Sequence, residues 1–118
     1  MKIQTQKVSF ATTISLDADC LDFNNKHDFL DAALEPIKNT QNVILDLSGI
    51  TYVDSSGLSA ILICFREINS AGGFFAITNL EPAVKNAFAL VQMDKIIPIF
   101  ESIDQAIQQS KHTTRRAI

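Results

Sequence analysis

The residues Val43–Leu47 form a short, largely apolar run with polar residues on both sides. A run of this length is typical of a strand that is buried on both faces of a sheet. The next apolar segment, from Leu58 to Ile68, repeats every three or four residues, as on one face of a helix, and Gly72 and Gly73 then end it. A strand that is buried on both faces of the sheet, followed by an amphipathic helix, predicts an α/β layer structure.

The rest of the chain continues this alternation of strand and helix patterns. Further strands are predicted at 3–9, 10–16, 74–78 and 96–100, with a polar turn at 17–22. Further helices are predicted from Asn24 or Asn25 to Lys38, from Pro82 onward, and after a capping Ser102. The order ββαβαβαβα predicts an α/β fold with a four- to five-stranded, mostly parallel mixed sheet and about four helices.

The buried strand and the helix that follows it are expected to share one core. The residues predicted to be buried together are Leu45, Leu47, Leu58, Ile61, Leu62 and Phe65. If Leu62 lies in that core, Leu62→Ala costs roughly 2–5 kcal/mol of stability.

Composition limits the classes of function. The 118 residues suit one domain, predicted at 1–110 and followed by a basic, flexible tail at 111–118. A net charge of −3 argues against a nucleic-acid partner, which favours a basic surface. No apolar run is long enough to span a membrane, and the first residues do not resemble a signal peptide. We therefore expect a cytoplasmic protein, monomeric when free, with no membrane contact.

The residues of catalysis and metal binding are sparse. The chain has no G-x-S-x-G elbow and no G-x-x-x-x-G-K-[ST] phosphate loop, and its histidines are His27 and His112. Cys20 and Cys64 lack metal-ligand spacing. We expect Cys64 to be a buried thiol, and the aspartates around Cys20 to disfavour its thiolate. The sequence therefore predicts a protein that is not an enzyme and that needs no cofactor or metal.

The segment Asp54–Leu58 joins a predicted strand to a predicted helix, at the edge of the sheet where functional loops concentrate. A helix begins with free backbone N–H groups and a partial positive charge, so a phosphate on a serine there would meet donors. Gly57 is expected to leave room for an approaching partner. The structural alternative is an ordinary helix start, with Ser55 or Ser56 as the N-cap and Asp54 near the positive end of the dipole.

The sequence from Val43 to Gly57, VILDLSGITYVDSSG, resembles the signature of the STAS domain family, in particular its anti-sigma-factor antagonist branch. The similarity continues, in the family's order and spacing, through 58–62, 71–73, 80–85 and 96–100. The resemblance implies a STAS-like fold in a bacterial partner-switching protein. It also implies that Ser56, the serine before the glycine, is phosphorylated by a cognate anti-sigma-factor kinase.

The resemblance further implies the partners and the surface that contacts them. The partners would be an anti-sigma factor that is also a serine kinase, bound in the unphosphorylated state, and a phosphatase. The partner-binding residues would be Asp22, Asp54, Ser55, Ser56, Gly57 and Leu58. Two features depart from the family pattern: Asp19 replaces a glycine before Leu21-Asp22, and 90–93 lacks a glycine. The alternative function is a constitutive STAS accessory subunit of a transporter complex.

Overall fold

The computed structural model describes residues 1–8, 10–38 and 40–116, with side chains through residue 110. The strands in this part of the chain are β1 (Ile3–Val8), β2 (Ala11–Leu16), β3 (Cys20–Leu21), β4 (Asn42–Asp46), β5 (Tyr52–Val53), β6 (Phe74–Thr78) and β7 (Ile99–Phe100). The helices are α1 (Lys26–Lys38), α2 (Ser55–Ser70), α3 (Pro82–Leu90) and α4 (Ile103–Arg116), with a 3₁₀ turn at Met93–Lys95.

Five strands form one mixed sheet in the order β1-β2-β4-β6-β7. The hairpin partners β1 and β2 are antiparallel, and every other neighbouring pair is parallel. The predicted mostly parallel α/β sheet with four helices is therefore confirmed. Parallel neighbours place the carboxyl ends of β2, β4 and β6 along one edge of the sheet, and the start of α2 lies at that edge.

The central strand β4 contributes side chains to an apolar core on each face of the sheet. Val43 and Leu45 belong to the larger core, which α1, α2 and α3 cover. Ile44 belongs to the smaller core, which Ala106 and Ile107 of α4 cover. The predicted strand buried on both faces is confirmed, because successive strand residues point to opposite faces and both faces are covered.

The predicted core is confirmed for most of its members but not for all. Leu45, Leu47, Leu58 and Ile61 are buried together in the larger core. Leu62 and Phe65 are only partly buried and pack against its margin, with the ring of Phe65 edge-on to that of Phe75 at 6.2 Å between centroids. Leu62→Ala is therefore expected to cost less than the roughly 2–5 kcal/mol of a fully packed core residue, since a partly buried side chain leaves a smaller cavity.

Three short strands, β3, β5 and β7, differ from the sequence prediction, and β5 was not predicted at all. The predicted turn at 17–22 contains β3, which pairs in parallel with β5 to form a second, two-stranded sheet. The predicted last strand at 96–100 is reduced to β7, because the N–H groups of Ile96 and Ile97 bond back to the carbonyl of Met93 and Pro98 has no N–H. A strand of two residues is too short to show a two-residue alternation in the sequence. Whether it forms depends on its pairing with a segment that is distant in the chain.

The final helix begins as predicted. The backbone N–H of Gln105 donates to Ser102 Oγ at 3.2 Å, so Ser102 caps α4. The helical backbone continues past residue 110, the predicted end of the domain, to Arg116. Residues 117 and 118 of the predicted tail lie outside the described residues, and the flexibility of the tail at 111–118 stays a prediction.

Candidate functional site

The start of α2 is capped by Asp54, which has extended backbone angles of φ −100° and ψ −175°. Its Oδ1 atom accepts a 2.9 Å hydrogen bond from the backbone N–H of Gly57. The alternative prediction of an N-cap at Ser55 or Ser56 is therefore wrong, because the N-cap is Asp54. Because an aspartate performs this structural task, both serine hydroxyls are left for other uses.

The same carboxylate holds a loop that is far away in sequence. Asp54 Oδ2 accepts a 3.0 Å hydrogen bond from the backbone N–H of Phe23. The N–H of Asp54 in turn donates to the carbonyl oxygen of Leu21 at 3.4 Å, directly beyond the β3–β5 pairing. The loop after β3 and the start of α2 therefore form one surface. Asp22, predicted to face the partner, lies at the same edge as Asp54.

Internal hydrogen bonds shape the loop between β3 and α1. The side chain of Asn25 donates to the carbonyl of Cys20 at 2.9 Å and accepts from the N–H of Asp22 at 2.9 Å. Asp22 Oδ1 accepts from the N–H of Asn24 at 3.0 Å. Asn25 immediately precedes α1, and its carbonyl accepts from the N–H of Phe29. The predicted helix start at Asn24 or Asn25 is confirmed at Asn25, although its side chain binds the loop.

Gly57 is buried, and its missing side chain serves packing inside the domain. A Cβ atom at this position would lie 2.1 Å from the carbonyl oxygen of Leu21 and 2.9 Å from Cγ1 of Val53. Only glycine therefore lets the first turn of α2 pack this closely on β3. The expectation that Gly57 leaves room for a partner is replaced by this internal role. Leu58, 8% exposed, also points into the core.

The hydroxyl groups of Ser55 and Ser56 lie at the solvent boundary, Ser55 exposed and Ser56 partly buried. Among the described residues, none makes a hydrogen bond to either hydroxyl. Ser56 is the second residue of α2, so its surroundings include the N–H groups of the first helical turn. Four of the residues predicted to contact a partner, Asp22, Asp54, Ser55 and Ser56, are thus brought to one accessible edge.

Backbone hydrogen bonds set the charge of this edge. They lower the pKa of Asp54 below its ordinary value of 3.8, chiefly through the N–H of Gly57 and further through those of Phe23 and Ser56. Asp54 is therefore ionised at neutral pH. Partial desolvation, together with the nearby charges of Asp22 and Asp19, raises the pKa of the Cys20 thiol. The thiolate of Cys20 is disfavoured, as the surrounding aspartates predicted.

Burial raises the pKa of the second thiol, Cys64, to about 12. Cys64 has no exposed surface and lies in the larger core, so the predicted buried thiol is confirmed. Within the described part of the chain, no three His, Cys, Asp or Glu side chains are grouped so that they could hold a metal ion. The helices described there include none with the length and apolar character needed to cross a membrane.

The sequence prediction missed two aromatic residues at this edge. The side chain of Phe23 is 72% exposed and that of Tyr52 is 56% exposed. Phe23 donates its N–H to Asp54, and Tyr52 precedes the buried Val53 in β5. Phe23, which stands between Asp22 and the polar residues 24–26, was the signal available in the sequence.

Comparison with known proteins gives matches over most of the chain. The family model of the STAS domain matches residues 2–106. A proposed anti-sigma factor antagonist of Thermotoga maritima is 31% identical over 72 residues, which cover 61% of this chain and 64% of that protein. The matched stretch thus spans less than two thirds of that relative.

Solved structures extend the similarity to nearly the whole fold. The crystal structure of a proposed anti-sigma factor antagonist from Thermotoga maritima aligns with a TM-score of 0.82 at 25% identity, covering 92% of this chain and 94% of that one. The antagonist SpoIIAA aligns at 18% identity, with TM-scores of 0.67 unphosphorylated and 0.66 for the phosphorylated Bacillus form. Each alignment covers at least 92% of this chain and 98% of SpoIIAA, and at that identity it shows the fold alone. With its family-model match and this fold, the chain belongs to the STAS domain family.

Proposed function

We propose that this chain is an anti-sigma factor antagonist in a bacterial partner-switching pathway, and that it acts in the cytoplasm by binding rather than by catalysis. Unphosphorylated, it binds an anti-sigma factor that is also a serine kinase, through the edge formed by the start of α2 and the loop after β3. Phosphorylation of Ser56 releases the complex, and a phosphatase restores the binding form.

The observation that carries this proposal is the division of tasks at the start of α2. Asp54 supplies the cap, while Ser56 is only partly buried and its hydroxyl makes no hydrogen bond among the described residues. The name of the Thermotoga relative supports the same role, and SpoIIAA, which shares the fold, exists in a phosphorylated form. The choice of Ser56 over the neighbouring Ser55 rests on the family pattern of a phosphorylated serine before the glycine.

Electrostatics explains how a phosphate would act as the switch. It adds a charge of about −1.5 to −2 at neutral pH. Two residues away, Asp54 is already ionised, and a charge within an interface must lose water when the partner docks. The positive end of the α2 dipole partly stabilises the phosphate within the domain, so folding survives while binding weakens. A loss of about 3 kcal/mol lowers affinity more than a hundredfold.

Calorimetry of variants against an anti-sigma factor kinase from the same organism tests the proposal. Ser56→Asp is expected to weaken binding strongly, because it places a fixed charge beside Asp54. Ser56→Ala is expected to bind like the wild type, because it removes only a hydroxyl that caps nothing. The matched control, Ser55→Ala, is expected to accept phosphate at Ser56 when incubated with that kinase and ATP.

Two outcomes contradict the switch. Phosphate mapped to Ser55 would make the site assignment wrong. Binding by Ser56→Asp that is as tight as wild-type binding would instead indicate a constitutive accessory subunit.

A further inference from the structure

The loop after β3 and strand β5 present two exposed aromatic side chains beside the proposed switch. Phe23 and Tyr52 expose 72% and 56% of their surface. A single exposed apolar residue needs no explanation, but neighbouring ones beside a binding site mark a contact surface. Aromatic residues are also enriched at the energetic centres of protein interfaces.

The backbone places both aromatic residues at the edge that carries Asp54. Successive strand residues point to opposite faces, and Val53 is buried, so Tyr52 and Asp54 face away from the core together. Asp54 then holds the N–H of Phe23 at 3.0 Å. Phe23 is therefore tied to Asp54 by a hydrogen bond, and Tyr52 lies two positions before Asp54 in the chain, as Asp54 lies two positions before Ser56.

Both aromatic residues are held in place before any partner arrives. The hydrogen bond to Asp54 fixes the backbone of Phe23, and the register of Tyr52 against Cys20 fixes β5. Binding then has little backbone to order at these positions, which favours affinity. An exposed ring on a fixed backbone is the arrangement expected of an interface anchor.

The charged residues near Phe23 and Tyr52 indicate which side chains of a partner would lie around these two rings in a complex. The segment 17–25 carries three aspartates, Asp17, Asp19 and Asp22, and no lysine or arginine. Asp17 and Asp19 are exposed, and Asp54 adds an ionised carboxylate. The first cation after this segment is Lys26, at the start of α1. A partner surface complementary to this edge carries basic side chains around an apolar centre.

We propose that Phe23 and Tyr52 are the apolar anchors of the partner surface, and that they insert into an apolar recess bordered by basic side chains on the anti-sigma factor. This inference rests on the proposed function and specifies how its binding surface works. It also explains the sensitivity of the switch, because a phosphate on Ser56 would carry its charge to the margin of an apolar contact that must lose water.

The test uses an anti-sigma factor from the same organism that binds the wild-type chain, with binding measured by calorimetry. Phe23→Ser and Tyr52→Ser are each expected to raise the Kd at least about tenfold. Phe23→Leu keeps an apolar side chain and is expected to recover most of the affinity. The matched control is Phe10→Ser, which removes a 62% exposed ring between β1 and β2, at the opposite edge of the sheet.

All four variants are expected to keep the wild-type circular dichroism spectrum and melting temperature, since the rings they change are exposed. The basic border is tested separately by stopped-flow association. The association rate is expected to fall as salt rises and to fall further in Asp19→Asn, because attraction between opposite charges speeds docking. An association rate that is independent of salt would contradict the proposal that basic side chains border the recess on the partner.

Failure of the anchors and failure of the switch give different results. If Ser56→Asp loses binding while Phe23→Ser and Tyr52→Ser keep the wild-type Kd, the anchors are wrong and the switch stands. If the aromatic variants lose binding while Ser56→Asp keeps it, the anchors stand and the switch is wrong. An equal loss for Phe10→Ser would also overturn the anchors, because the effect would then not depend on this edge.

Discussion

Two strand-to-helix junctions, β5 to α2 and β6 to α3, begin their helices in different ways. At the first, the side chain of Asp54 caps α2 and also binds the loop after β3. At the second, Glu81 makes no side-chain cap bond, and Pro82 starts α3 with a preset backbone angle. The third helical residue is a glycine in α2 and the buried Val84 in α3.

The difference shows that a helix N-terminus by itself does not mark a functional site. Both junctions carry the positive end of a helix dipole, but only the first combines a separate capping residue, serine hydroxyls without a hydrogen bond among the described residues, and a hydrogen bond to a second loop. The α3 junction instead borders an open cleft of about 840 Å³ that includes Asn79, Lys85 and Phe100. A concave space suits a small ligand, whereas the first junction presents the exposed aromatic surface that suits a protein.

The largest expected effect on stability concerns the close packing of the first junction. Gly57→Ala would place a Cβ against the backbone of Leu21, which cannot rotate away, so we expect a loss of roughly 1–3 kcal/mol. Urea denaturation measures it, with the exposed Ser59→Ala as a control in the same helix. A loss below about 0.5 kcal/mol would show that the first turn of α2 moves freely on β3.

Replacing the residue that precedes each helix should show that the two junctions contribute differently to stability. Asp54→Ala is expected to cost about 1 kcal/mol, because it deletes a cap and the bond to Phe23. Glu81→Ala is expected to change stability by at most about 0.5 kcal/mol, since no cap bond is lost. Thermal unfolding of both variants checks this, and equal losses would contradict the contrast.

Acidification should remove the advantage of the Asp54 cap. The pKa of Asp54 is lower in the folded state than its ordinary 3.8, so its ionised form stabilises folding. That contribution is complete above the ordinary pKa and is lost as the pH falls through the lowered folded-state pKa. The stability difference between wild type and Asp54→Asn should therefore narrow below about pH 4. The control Ser59→Ala changes no titrating group, so the stability difference between it and the wild type should not depend on pH.

The smallest expected effect on stability belongs to Ser56. Neither Ser56→Ala nor Ser56→Asp is expected to change the free energy of unfolding by more than about 0.5 kcal/mol, because the side chain is only partly buried and caps nothing. Chemical denaturation provides the measurement. A loss above about 1 kcal/mol in Ser56→Ala would make the hydroxyl structural, and binding data on that variant would need another explanation.

Features that repeat along the chain were predictable from local sequence. The apolar run in β4 and the three-to-four-residue spacing in α2 were sufficient to predict a strand with two covered faces and a helix on one of them. The cap of α4 at Ser102 was also predictable, because a helix start depends on neighbouring residues. Leu62 shows the limit of periodicity, since an apolar position at the edge of the helix stripe is only partly covered.

The sequence by itself determined the order of the four helices and of the five strands of the main sheet, and the position of the serines at the start of α2. Only the tertiary structure decided that Asp54 is the cap, that Gly57 packs on Leu21, and that Phe23 and Tyr52 stay exposed. The physical reason is separation along the chain. Asp54 and Phe23 lie 31 residues apart, and β3 and β5 have two residues each, so their contacts leave no periodic pattern and form only when distant segments meet.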